Sequence, residues 1–232
     1  MNPKGNIWLA GGKRNVGKTH TAMEIAQEFF LRSNVPKSII VFDHTHNSSY
    51  NPYALMPLTI GDLYFLPRQE RIKGIVRSDD IDGFAQVVTE QVERCSILFD
   101  DCGVLFRGNL TRQREKLLKT PKNNGNELIF QAHSFREIAP ALLEQANMYI
   151  VKETVDDPTN LPSKVIARQQ IGQLLIDVIK ENFGLESNKK WATRIYDTED
   201  DEVWIRDTQT GIFHLAPGED YFPFSNKKRF LM

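Results

Sequence analysis

The sequence predicts an α/β fold, a parallel sheet sandwiched by helices, and three observations carry that prediction. Apolar bursts suited to buried parallel strands recur at 6–10 (NIWLA), 38–43 (SIIVFD), 95–100 (CSILFD), 127–132 (ELIFQA) and 148–153 (MYIVKE). Helical patterns lie between them, at 18–33, 80–94 and 110–119. A glycine-rich turn, GGKRNVGKTHTA at 11–22, joins the first burst to the first helix. Strand–helix–strand repetition with right-handed crossovers covers both faces of such a sheet.

The elements follow in order. In the first helix Ala22, Ile25, Ala26, Phe29 and Phe30 share one face at i, i+3, i+4, i+7, i+8 spacing. Residues 44–79 read as irregular, broken by Pro52, Pro57 and Pro67, with a short strand in RIKGIV. A long helix is expected over 161–183 (LPSKVIARQQIGQLLIDVIKENF). Residues 192–215 then alternate and carry the turn signals TEDDE and TQTG, which predicts a small antiparallel meander. The expected organisation is a core over 1–158 with a helix-and-meander extension of the same domain over 159–232.

Composition bounds the function. With 41% hydrophobic and 25% charged residues, a chain of 232 residues has material for a sizeable core. A net charge of −1 neither favours nor excludes nucleic acid, so only local clustering informs. Cys95 and Cys102 make no disulfide framework and read as core thiols. The N-terminus lacks the apolar core of a signal peptide, and no apolar run approaches the ~20 residues that span a bilayer. A cytoplasmic location is expected.

Gly12, Gly17, Lys18 and Thr19 satisfy G-x-x-x-x-G-K-[ST], the P-loop or Walker A pattern, between a predicted strand and a predicted helix. Glycines let backbone N–H groups turn inward around phosphate oxygens, with Lys13, Arg14, Asn15 and Val16 forming the rest of the loop. The helix that follows adds its positive end, and His20 packs or caps just inside it. Lys18 is placed to reach the β- and γ-phosphates of ATP, and Thr19 to hold Mg²⁺ through its hydroxyl. A second acidic site is needed at a neighbouring strand tip, and SILFDDCG supplies it. Asp100 is assigned to the metal and Asp101 to the attacking water, as the Walker B pair.

The set GGKRNVGKT, IIVFDHTHNSSY, ILFDDCG and LIFQAHSFREIAPALLEQANMYIV resembles the FtsK–HerA superfamily of RecA/ASCE-like P-loop ATPases. In size and layout it is most similar to the compact genome-packaging ATPases of membrane-containing viruses and phages. The resemblance covers roughly residues 5–155. It matches Asp43 and Tyr50 to the family's segment after the second strand, His133 to its sensor, and Glu137, Ile138 and Pro140 to the stretch behind it. Two departures stand out: the family's usual sensor is Gln, and its usual water-polarising acid is Glu. The resemblance implies ATP-driven translocation of double-stranded DNA by a homo-oligomeric ring, a hexamer, with a capsid or membrane vertex protein as a further partner. It implies a location in the host cytoplasm or the virion.

At a parallel strand's C-terminal tip, His133 faces the crevice where ligands bind in open α/β sheets. His44 and His46 lack a third ligand and read as a polar loop, while His214 carries no signal. Residues 106–122 carry Arg107, Arg112, Arg114, Lys116, Lys119 and Lys122 against Glu115 alone. One of Arg112 and Arg114, or Arg136 past the sensor, is a candidate arginine finger, and the stretch is also a candidate DNA-tracking surface beside a plain solvated helix face. The tail FPFSNKKRFLM suits nucleic acid or a partner. Two other functions stay open: a P-loop nucleotide or small-molecule kinase, and an assembly ATPase related to filamentous-phage morphogenesis, a class that usually carries a membrane span.

Overall fold

A computed structural model describes residues 5–32, 37–66 and 71–217. The tail beyond 217 and Pro67 lie outside the described residues. The strands are β1 (Ile7–Gly11), β2 (Ser38–Phe42), β3 (Met56–Leu58), β4 (Lys73–Val76), β5 (Cys95–Phe99), β6 (Glu127–Ala132), β7 (Met148–Val151), β8 (Arg194–Asp197), β9 (Glu202–Arg206) and β10 (Phe213–Pro217). The α-helices are α1 (Lys18–Arg32), α2 (Ile81–Gln91), α3 (Cys102–Leu105), α4 (Arg112–Lys119), α5 (Pro121–Asn124), α6 (Pro140–Gln145) and α7 (Arg168–Asn182). All ten strands join one sheet in the order β10-β9-β8-β7-β1-β6-β5-β2-β4-β3.

Every pairing from β3 to β7 is parallel. β1, β5, β6 and β7 are buried along their whole length, which is why they read as continuous apolar runs rather than alternating ones. Alternate residues still separate two cores. Trp8, Ala10, Ile39, Val41, Leu98 and Ile129 pack under α1, with Ala22, Ile25 and Ala26 buried and Phe29 and Phe30 partly so. Leu9, Ile40, Phe42, Phe99 and Phe130 face α2, α4, α6 and α7. There Phe99 stacks on Phe130 at 4.6 Å with Phe106 edge-on to both.

The expected antiparallel meander is present as β8, β9 and β10, and β8 also pairs antiparallel with β7, Val151 opposite Arg194, so the large sheet continues through it. Two expectations need correction. The last long helix begins at Arg168, not at 161. Pro162 instead opens a turn closed by Val165 N–H donating to its carbonyl at 3.1 Å, and Leu161 and Val165 are buried in a way that mimics a helical face. The described residues between 44 and 79 form two strands, β3 as well as β4.

Cys95 and Cys102 are buried and unpaired, and burial pushes the Cys95 thiol up to about 12. No helix among the described residues is long and apolar enough to cross a membrane.

Candidate active site

The C-terminal ends of β1, β5 and β6 open into one cavity of about 710 Å³. Its floor is the P-loop. Gly12 N–H donates to Ala132 O at 3.1 Å and Lys13 N–H to Glu153 O at 2.8 Å, so the loop leaves the sheet braced on both neighbouring strands. Lys13 also pairs with the Glu153 carboxylate, to which the Asn182 amide donates at 3.2 Å. The loop then reverses through Asn15 (φ 62°) and Gly17 (φ 76°), a left-handed turn that glycine adopts without strain. A side chain at Gly12 would come within 2.9 Å of both Val16 and Lys152. Asn15, Gly17 and the first turn of α1 (Lys18, Thr19, His20) line the cavity, so the backbone can approach an anion closely there.

Lys18 Nζ lies across this cradle, donating to Gly12 O at 2.5 Å and Lys13 O at 2.9 Å, with His133 Nδ1 at 3.1 Å. Burial pushes its ammonium down to about 8, against the pull of Asp100 and Asp101. A charged Lys18 donating to Nδ1 keeps the His133 ring proton on Nε2, leaving an N–H donor at the same mouth. The cavity thus holds Arg14, Asn15, Gly17, Lys18, Thr19, His20, Asp100, Asp101 and His133 together.

Asp100 is the more constrained of the cavity's two acids. It is 6% exposed and accepts from Asn47 Nδ2 at 3.0 Å, Thr45 Oγ1 at 3.2 Å and Tyr50 Oη at 3.4 Å. That loop is held in turn by the fully buried Asp43, which accepts from the N–H groups of Thr45 and Asn47 and from Arg77 Nε. Asp101 differs. Its backbone is left-handed (φ 45°), at the cap of α3, and its side chain lines the cavity half-exposed. One acid is therefore fixed and the other is free to meet solvent. Thr19 and Asp100 together offer the hydroxyl and carboxylate oxygens that suit Mg²⁺.

β6 lies between β1 and β5, so its tip separates Lys18 from the acids. Gln131 there is buried, donates from Nε2 to Tyr50 Oη at 2.9 Å, and keeps Oε1 without a partner while lining the cavity. Past the tip, Ser134 Oγ donates to the buried Asp156 at 2.6 Å and Phe135 N–H donates to its other oxygen at 2.9 Å, which pins the segment carrying His133. The sequence reading missed Gln131, Thr45, Asn47, Asp156 and Lys152. Two carried a signal: Gln131 and Lys152 are polar residues inside apolar bursts.

The three candidate finger arginines lie outside this cavity. Arg114 forks onto Asp82 (2.9 and 3.1 Å) and donates to Leu105 O at 2.6 Å, so its guanidinium is engaged within its own chain. Arg136 Nη2 donates to Asn160 O at 3.0 Å, and Arg112 is exposed at the start of α4. The basic stretch does not lie wholly at the nucleotide edge. α4 runs back along the sheet, so Lys119 ends near the opposite edge, and Lys122, just before β6 begins, pairs with Glu199 at 3.1 Å. Among the described residues no cluster of three or more His, Cys, Asp or Glu is placed to hold a metal.

No protein-family model and no curated protein matches the sequence. Solved structures do match. The genome-packaging NTPase B204 of Sulfolobus turreted icosahedral virus 2 superposes in its ATPγS complex with a TM-score of 0.57 at 14% identity, over 93% of this chain and 97% of that one. Its sulfate complex gives 0.58 at 16% identity, over 93% and 96%. B204, the DNA-packaging ATPase of Sulfolobus turreted icosahedral virus, gives 0.56 at 18% identity, over 93% and 98%. The chain has the fold of these NTPases.

Proposed function

We propose that this chain is an ATPase that drives double-stranded DNA through a homo-oligomeric ring, as a viral genome-packaging motor. The observation that carries the reading is the convergence, in one cavity, of Lys18 and the P-loop with a buried acid, a half-exposed acid and a tip histidine. The end-to-end likeness to packaging NTPases supports the biological setting.

Each residue has a role that its surroundings suit. The P-loop backbone and Lys18 hold the phosphates, and a phosphate arriving at Lys18 replaces its bonds to Gly12 and Lys13 carbonyls with stronger charge-assisted ones. Thr19 and Asp100 would hold Mg²⁺, which would supply neutralisation of phosphate charge. Asp101 accepts a proton from the attacking water, for which its exposure leaves room. His133, hydrogen-bonded to Lys18, donates from Nε2 to the γ-phosphate and so reports its presence. Arg112, exposed where α4 begins, is the arginine best placed to reach a neighbouring subunit's nucleotide.

The test is ATP hydrolysis by wild type and Lys18→Ala, with and without double-stranded DNA, beside a sizing measurement. Hydrolysis that needs Lys18, rises with DNA and accompanies a ring supports the proposal. DNA stimulation should fall steeply between low and physiological salt, because phosphate contacts release counterions. A monomer whose turnover ignores DNA and rises with a small acceptor is a kinase, and overturns it.

A further inference from the structure

The P-loop accounts for the phosphates of a nucleotide but leaves one end of the cavity unassigned. That end is built by the connection between α7 and β8. It brings Trp191 against the P-loop, with its six-membered ring 3.6 Å from where a Cβ on Gly17 would lie. The indole N–H donates to Asn188 O at 2.6 Å, so the ring's polar edge is satisfied and its orientation fixed. His20 stands edge-to-face with it, ring centroids 5.6 Å apart and planes at 71°. His20 is itself held between Tyr53 Oη at 3.2 Å and Glu24 Oε1 at 3.2 Å. Asn188, Trp191 and His20 line the same cavity as Lys18.

The polarity of a phosphate chain in this cradle fixes where the remainder of the nucleotide goes. The terminal phosphate belongs beside Lys18, His133 and Asp100, so the chain leaves the loop past the first turn of α1, at Thr19 and His20. A nucleoside attached there meets Trp191 on one side and Tyr53 on the other. Tyr53 directs its hydroxyl to His20, whereas Trp191 presents a large half-buried ring with no polar atom left to satisfy.

We propose that Trp191, packed T-shaped with His20, is the platform on which the nucleobase of the bound nucleotide stacks. This rests on the nucleotide-binding reading above and adds to it the residue that recognises the base. Base–aromatic stacking contributes roughly 1–3 kcal/mol, which is about a 5- to 150-fold change in affinity.

The experiment is calorimetric titration of wild type, Trp191→Ala, Trp191→Phe and Tyr53→Ala with ATP and, separately, with inorganic tripolyphosphate, which carries the phosphates and no base. Trp191→Ala should weaken ATP about 5- to 150-fold and leave tripolyphosphate within about twofold. Trp191→Phe should recover most of the ATP affinity, and Tyr53→Ala should cost clearly less of it than Trp191→Ala. An equal loss for both ligands means that Trp191 only braces the P-loop, and overturns the proposal. So does undiminished ATP binding in Trp191→Ala, or a loss confined to Tyr53→Ala. A wild-type protein that binds neither compound refutes the phosphate site itself, a different failure from one that binds tripolyphosphate as tightly as ATP.

Discussion

A buried lysine beneath the P-loop makes a sharp prediction about pH. Lys152, the residue after β7, is fully buried, and its Nζ donates to Thr193 Oγ1 at 2.7 Å and lies 3.8 Å from the Cβ position of Gly17. Burial pushes its ammonium from 10.5 down to about 7, helped by the positive charges of Arg206 and Lys18 and opposed by Glu24. The unfolded chain therefore binds a proton that the folded chain releases between pH 7 and 10.5, and stability rises with pH across that window. At about 1.4 kcal/mol per pH unit, the cost at pH 7 is about 4 kcal/mol. Lys152→Met removes that cost and gives up the Thr193 hydrogen bond, worth about 1 kcal/mol. Urea unfolding at pH 7 should find the variant about 2–3 kcal/mol more stable than wild type. The gap should close by up to about 1.4 kcal/mol for each pH unit towards 9. Parallel pH profiles for the two proteins would refute a titrating Lys152.

Three further predictions concern the site. Asp101→Asn should keep MgATP binding and lose at least about 100-fold in turnover, the scale of general-base catalysis, whereas Asp100→Asn should weaken Mg²⁺-dependent binding itself; nucleotide titration with and without Mg²⁺ separates them, and swapped phenotypes reverse the two roles. Tyr50→Phe strips a partner from both Gln131 and Asp100, so thermal unfolding should show a loss of about 1–3 kcal/mol, with turnover reduced while ATP affinity holds. Arg112→Ala should abolish hydrolysis in the ring and be partly rescued by mixing with a Lys18→Ala subunit that still carries the arginine, while Arg114→Ala should lower stability by about 1–3 kcal/mol through its lost bonds to Asp82 and show no rescue.

The parallel strands were legible because burial on both faces forces continuous apolar runs, and the P-loop because its chemistry needs fixed spacing over eight residues. What misled was local resemblance without tertiary context. Leu161 and Val165 are buried at helical spacing, yet Pro162 and the left-handed Ala167 keep them in turns. The alternation after 192 is genuine strand, but no local signal says that its first strand pairs with β7. Along 106–122 the charges are contiguous in sequence, while an eight-residue helix separates its ends by about 12 Å, enough to carry Lys119 and Lys122 away from the edge where Arg112 stands.

The site divides along the same line. Lys18, Asp100, Asp101 and His133 were readable because each sits at the end of its own strand or loop. The residues that hold them were not, because their partners are distant: Asn47 and Asp100 are 53 residues apart, Tyr50 and Gln131 81, and Ser134 and Asp156 22. Only the strand order explains why these matter. With β6 inserted between β1 and β5, Lys18 and Asp100 stand on opposite sides of its tip. The tip of β6 fills the space between them, with His133 bonded to Lys18 on one side and Gln131 linked through Tyr50 to Asp100 on the other. A single strand end therefore contacts both halves of the site. A histidine serves there because it accepts from a charged lysine and donates from its second nitrogen, which a glutamine amide also does through its oxygen and nitrogen.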